Sequence, residues 1–158
     1  MANTLTVLQS RLFTQLRSAS VATAAGINST LWAATDYPHV FYQDSGFRGH
    51  RSRGRLPFIE FWIADQTFDK RWDIGGTIST NILLRVWVGG SDNEVADELA
   101  YDILMASVAA IRDDATDNLT VQGRLDVVTP LTQGAWGHSR DCTMTIDLTY
   151  DVSTYERA

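Results

Sequence analysis

The chain contains one cysteine, three histidines and no long apolar run, and each scarcity removes a class of function. Cys142 alone cannot close an internal disulfide, and it falls on the apolar side of its segment, where a buried thiol in a reducing compartment is the plain reading. His39, His50 and His138 stand far apart. His138 with Cys142 supplies two ligands where a zinc site needs three or four, so no metal is expected. No stretch approaches the roughly 20 apolar residues that span a bilayer, and no charged start with an apolar run marks a secretory leader. Asn28-Ser29-Thr30 and Asn118-Leu119-Thr120 therefore match the glycosylation pattern by accident. Positive charge is also short. A formal charge of -6 excludes a protein that coats nucleic-acid phosphates.

At 158 residues and 44% hydrophobic side chains, the chain fits one domain, 1–158, with a real core. Leu5, Leu8, Leu12, Leu16 and Ala19 recur at helical spacing and predict an amphipathic N-terminal helix. From Val21 to Arg55 the periodicity fades. Pro38, Gly46, Gly49 and Gly54 mark a long loop at about 36–55, of a length that is usually functional or disordered. Pro57 to Ile63 and Thr77 to Val88 read as strands, extended toward each other by a long hairpin turning near Asp69-Lys70. Ser91 and Glu94 form a capping box that opens a second helix. Asp113 and Asp114 oppose its negative end and stop it near Arg112. Its apolar residues, from Val95 to Ile111, cover about half the circumference, more than the roughly 100° stripe one core requires. Either the helix is sunk deep in its own core or it also serves a neighbouring subunit. Leu119, Val121, Leu125 and Val127 alternate as a third strand.

The last segment alternates without a break. Cys142, Met144, Ile146, Leu148, Tyr150 and Val152 oppose Asp141, Thr143, Thr145, Asp147, Thr149 and Asp151, giving a strand with one buried wall and one wall of Thr and Asp. The expected fold is α+β: a four-stranded antiparallel sheet with two helices on one face, in the order α-β-β-α-β-β. The other face displays Phe58, Trp62, Leu83 and Trp87, which need either a partner or the chain's own loop to cover them. Arg85 shares that face with Glu60, close enough to pair across the hairpin.

Reaction chemistry has little to stand on. Gly75-Gly76 and Gly89-Gly90 lack the spacing and the following Lys of a phosphate loop. Ser139 and Asp141 lie near His138, but alternate strand positions diverge and no strained elbow surrounds the serine. Neither an enzyme nor a cofactor is expected.

Three features together resemble the tail-terminator, or tail-completion, proteins of long-tailed bacteriophages. They are the order of elements with its Leu-rich first helix, the Leu83-Leu84-Arg85-Val86-Trp87-Val88 strand running through glycines into an acidic-capped helix, and the Met144 to Tyr150 strand. The likeness covers residues 4–20 and 56–152. It implies a non-enzymatic virion protein at the tail-head junction, assembled in the host cytoplasm. Such a protein forms a six-membered ring that caps the tail tube, stops its growth and joins it to a head-side connector or stopper. Its partners would be copies of itself, the tube protein and the connector, with DNA passing through unheld and no membrane involved.

On that resemblance Phe58, Trp62, Arg85, Trp87, Leu104 and Val108 are expected at the subunit interface. Arg48, His50, Arg51, Arg53 and Arg55 would form a loop docking on tail or head, the alternative being a solvated charge run. Asp141, Thr143, Thr145, Asp147, Thr149 and Asp151 would face the channel, since an acidic, hydroxyl-bearing wall repels phosphate; the alternative is an ordinary wet sheet face. Two other functions compete: another neck or tail-tube ring subunit, or a small α+β ligand-binding module. Tube subunits usually carry a longer sandwich than four strands.

Overall fold

The structure is a computed structural model that describes residues 4–35, 38–43, 56–68, 76–90, 92–112, 115–116, 119–134 and 137–150. It is α+β. The first helix, α1, spans Thr4–Leu16 and buries Leu8, Leu12 and Leu16, one residue per turn along a single stripe. It ends earlier than the spacing predicts, and Ala19 begins a separate helix, α2 (Ala19–Ala25), with Ser18 at its N-cap. Gly26, at φ 71°, closes α2: Gly26 N–H bonds to the Thr23 carbonyl at 3.1 Å and Ile27 N–H to that of Ala22 at 3.0 Å. This paired return satisfies carbonyls that the helix end leaves open, and the left-handed turn favours glycine. Asn28 then accepts Thr30 N–H at 2.9 Å and starts the one-turn α3 (Ser29–Trp32).

A short strand, β1 (Val40–Tyr42), follows and pairs parallel to β2 (Phe58–Phe68). β2 runs antiparallel to β3 (Gly76–Val88) with Phe58 opposite Trp87 and Phe68 opposite Ile78, so the long hairpin is present and its turn lies outside the described residues. Helix α4 (Asn93–Arg112) comes next. β4 (Ala115–Thr116) and β5 (Leu119–Val128) form a small hairpin, and β6 (Thr132–Gly134) another with β7 (Gly137–Tyr150). The strand order is β1-β2-β3-β7-β5-β4, and β6 pairs with the start of β7 in the lane that β5 occupies further along. The four expected strands are thus the antiparallel centre of a larger, mixed sheet. β1, β4 and β6 are additions of two or three residues each.

Both long helices pack on one sheet face. There Leu8, Leu12 and Leu16 meet Ala100, Ile103, Leu104, Val108 and Ile111 of α4, and Ile59, Phe61, Ile82, Leu84, Val86, Cys142, Met144 and Ile146 of the strands. The wide apolar face of α4 is mostly absorbed by this core, with Val95 the exception at 61% exposed. Leu104 and Val108, expected at a subunit interface, are 0% and 4% exposed in the single chain and belong to its own core. A side chain already enclosed on all sides has no surface left for a neighbour. Ser107, buried among them, returns its hydroxyl to the Ile103 carbonyl at 2.7 Å.

The start of α4 also differs from expectation. Asp92 caps it. Its Oδ1 accepts Glu94 N–H at 2.9 Å and Val95 N–H at 3.3 Å, because a carboxylate directly before the first turn reaches both donors and suits the positive helix end. Ser91 lies outside the described residues. The far end, at Arg112, is where the two aspartates place it.

Candidate interaction surface

Among the described residues no helix covers the outer face of the sheet, and its register sorts that face into rows running across the strands. The outermost described row is aromatic. Phe58 of β2 lies opposite Trp87 of β3 and stacks on it, centroids 6.1 Å apart, and Phe41 of β1 packs edge-on against Phe58 at 5.7 Å. Phe58 is 1% and Trp87 7% exposed, so these two expected interface residues lie on the predicted face but are buried within the single chain.

The next row is ionic: Glu60, Arg85 and Asp141 follow one another across β2, β3 and β7. The Arg85 guanidinium forks onto Asp141, Nε to Oδ1 at 2.6 Å and Nη2 to Oδ2 at 2.8 Å. It also lies 5.7 Å from the Trp87 ring centroid. The hydrogen bond to Asp141 raises the Arg85 pKa above its ordinary value against the cost of burial, and the charges of Asp141 and Glu60 add to the effect. Glu60 is 1% exposed. Its two oxygens accept the Gln43 side-chain amide at 3.0 Å and the Trp87 indole N–H at 2.8 Å. Glu60, expected to pair with Arg85 across the hairpin, lies directly opposite it and adds its charge to the Arg85 site while its oxygens anchor the aromatic row; the fork itself is made with Asp141 on the other side.

Beyond it runs an apolar row: Trp62, Leu83, Thr143 and Val127, on β2, β3, β7 and β5. Val127 is 56% exposed and the other three are half-buried. Val127 reaches this face because the β5 register shifts between Leu125 and Val127. The bulge reverses the alternation, so a residue expected in the core points outward.

The remaining rows are polar and bonded to one another. Asn81 donates to Asp65 at 2.6 Å, and the Thr145 hydroxyl bridges Asn81 at 3.1 Å and Asp126 at 2.7 Å. Arg124 reaches Asp126 at 3.0 Å, and Ser79 donates to Asp147 at 2.7 Å. The Thr145 hydroxyl first, and Arg124 second, hold the Asp126 carboxyl below its ordinary pKa. The acidic wall is therefore graded. Asp141 and Asp126 face guanidinium groups, whereas among the described residues Asp65 and Asp147 receive the neutral donors Asn81 and Ser79. Of the expected channel residues, Asp141, Thr143, Thr145 and Asp147 share this wall. Thr149 is in register with Thr77 and Thr120, and Asp151 lies outside the described residues. So do Arg48, His50, Arg51, Arg53 and Arg55.

The two described histidines, His39 and His138, have separate surroundings. His39 stacks on Trp32 at 5.1 Å and its Nδ1 lies 2.8 Å from the Pro57 carbonyl oxygen. The buried His138 points to the helix side, its Nε2 3.1 Å from the Gly90 carbonyl oxygen, whereas Ser139 lies opposite Trp87 on the other face. Among the described residues no group of three or more His, Cys, Asp and Glu side chains is placed to hold a metal ion. None of their helices is long and apolar enough to cross a membrane.

Arg140 is a residue that sequence patterning passes over. It interrupts the apolar wall of β7 and clamps the sheet edge to α4: Nε donates to the Thr129 carbonyl at 2.9 Å and the guanidinium lies 5.0 Å from the Tyr101 ring centroid. Its Nη1 is 2.9 Å from Asp97 Oδ1, an ion pair by proximity without hydrogen-bond alignment. A cation two residues before Cys142 in an alternating strand was the available signal. No protein-family model matches the chain, and no curated protein matches it either.

Proposed function

We propose that this chain is a structural subunit of a phage tail-terminator-like ring, a non-enzymatic virion protein at the tail-head junction. One observation carries the reading: both long helices lie on one sheet face, while the opposite face keeps the half-exposed row Trp62, Leu83, Thr143 and Val127 between an ion-paired row and an acidic polar wall. A partly exposed apolar row rimmed by hydrogen-bonded polar groups suits contact with another protein. In a head-to-tail ring each subunit offers two different patches, so more apolar surface is expected than one core uses. The resemblance in element order and in the Leu83 to Val88 and Met144 to Tyr150 strands supplies the type of assembly.

In this reading the ring has six subunits, caps the tail tube, ends its growth and meets the head-side connector. Trp62 and Arg85 contribute to the contact between copies, and the segment of Arg48, His50, Arg51, Arg53 and Arg55 docks on tube or connector. The Asp147 end of the wall lies toward the lumen, where carboxylates bonded to neutral donors keep passing DNA from being held. Negative-stain imaging of the purified protein, alone and mixed with isolated tail tubes, tests this. Six-fold rings or capped tube ends are expected. Bare tube ends, together with a compact monomer at high concentration, would overturn it and favour a small binding module.

A further inference from the structure

A second surface, on the helix side, carries two unmatched halves of one contact. On α1 a cavity of about 350 Å³ is lined by Gln9, Ser10, Phe13, Thr14 and Arg17. Arg17 lies over the Phe13 ring, its guanidinium carbon 4.4 Å from the centroid. Its Nε is buried and has no hydrogen-bond acceptor, and no carboxylate lines the cavity among the described residues. Burial lowers the Arg17 pKa from its ordinary value, so the charge sits where an anion would relieve it. A half-buried guanidinium with donors unused is a recognition element for a carboxylate.

The complementary half is on α4. Glu94, Glu98 and Asp102 succeed one another at four-residue spacing, are exposed, and have no cationic partner among the described residues. Like charges at that spacing repel along a helix, so the row gains from an external cation. Val95, 61% exposed, and Tyr101, 43% exposed, share this face, all five residues lying within about 120° of the circumference. They are two of the four large exposed apolar side chains among the described residues.

We infer that the outward face of α4 in one copy of this chain docks on the α1 groove of another. Glu98 and Asp102 would approach the Arg17 guanidinium while Val95 and Tyr101 cover Phe13. The occupant is a second copy because the cation and the carboxylates, each unpaired among the described residues, are both on this chain and match in charge and apolar flank. The contact joins unlike patches, so it links copies head to tail or, made twice, closes a pair. It does not rest on the tail-terminator reading.

Sedimentation velocity over a concentration series tests it. The wild-type protein is expected to self-associate, more weakly as salt rises. Arg17→Glu and Glu98→Lys should each weaken association by about tenfold or more, and the double variant should recover to within roughly threefold of wild type, as a reversed charge pair does. A wild-type monomer at every concentration, single reversals without effect, or a double variant no better than either single one would overturn the contact. If Arg17→Glu loses its fold by circular dichroism, the exposed Glu98→Lys decides alone, and unchanged association overturns the proposal. Rings that survive Glu98→Lys would remove this contact and leave the ring reading standing. Pairs that dissolve with Glu98→Lys but never build rings would do the reverse.

Discussion

The indole N–H of Trp87 donates to Glu60 at 2.8 Å, from the strand next to the carboxylate, and the second Glu60 oxygen accepts from Gln43 at 3.0 Å. Glu60 is buried, so each oxygen is committed. Glu60→Met keeps the length but removes both acceptors, leaving the Trp87 indole N–H without its partner even when the Gln43 amide turns elsewhere. A loss of about 1–3 kcal/mol is expected, roughly the cost of one buried polar group left unpaired. Thermal unfolding should show it as a midpoint lowered by about 2–4 °C per kcal/mol for a chain of this size. An unchanged midpoint would mean that Glu60 does not anchor the aromatic row.

The Arg85–Asp141 fork is partly open to water, with the two side chains 28% and 25% exposed. Its two short bonds exceed a simple surface pair in geometry, but solvent screens them. A double-mutant cycle with Arg85→Met and Asp141→Asn should give a coupling of about 1 kcal/mol that shrinks with added salt. Arg85→Lys keeps the charge and loses the fork, so it should retain less than half of that coupling.

Long, uninterrupted periodicity made part of this arrangement legible from sequence. α4 stops at Arg112 where the dipole and Asp113-Asp114 require, and the alternation of Cys142, Met144 and Ile146 assigns the core wall of β7 correctly. Short elements were not legible. α2 and α3 span seven and four residues, too few for a helical stripe, though Gly26 and Asn28 hold the caps that would have marked them. β1 has three residues and takes its place from parallel pairing with Ile59 to Phe61, which no local pattern encodes. The outer face failed in particular ways. The bulge beside Asp126 sends Val127 outward, and the carboxylate onto which Arg85 forks lies 56 positions away on a strand joined only by the fold. The excess apolar width of α4 had two readings, and the burial of Leu104 and Val108 favours the deep core for those residues.

That burial separates two outcomes for Leu104. If it sat between subunits, Leu104→Ala would break an assembly and leave a stable monomer. Enclosed with Ile103, Val108 and Met144, it should instead cost the monomer about 2–5 kcal/mol, lost transfer free energy plus a cavity. Urea unfolding at concentrations low enough to keep the chain monomeric measures this. A variant as stable as wild type there would reverse the assignment.

Gly137 opens β7 at φ 139°, where a side chain is strained, and a Cβ built there would stand 2.6 Å from the Val88 carbonyl oxygen. Backbone rather than a flexible side chain blocks the space, so the neighbour cannot swing aside. Gly137→Ala should destabilise by about 1–3 kcal/mol. Gly90→Ala is the informative comparison, with positive φ but nothing within 4 Å of the added carbon. It should cost less, and equal losses would show that conformation alone, without the collision, sets the penalty.

Cys142 provides a pH signature of the core. Burial, and after it the charge of Asp141, pushes its thiol up from 9.0 to about 12. The thiolate is therefore disfavoured in the fold but available to the unfolded chain. The stabilisation from keeping the proton is complete below the unfolded value near 9.0 and is lost as pH rises from there toward about 12. Each pH step in that window should cost up to about 1.4 kcal/mol relative to a variant without the thiol. Other groups titrate in the same window, so the readout is the difference between wild type and Cys142→Ala. Whatever gap the smaller side chain opens at pH 7 should narrow as pH climbs past 9. At pH 8 the native thiol should resist iodoacetamide and react only after denaturation. A gap independent of pH, with rapid labelling of the native chain, would place Cys142 in water rather than beside Leu84 in the sheet.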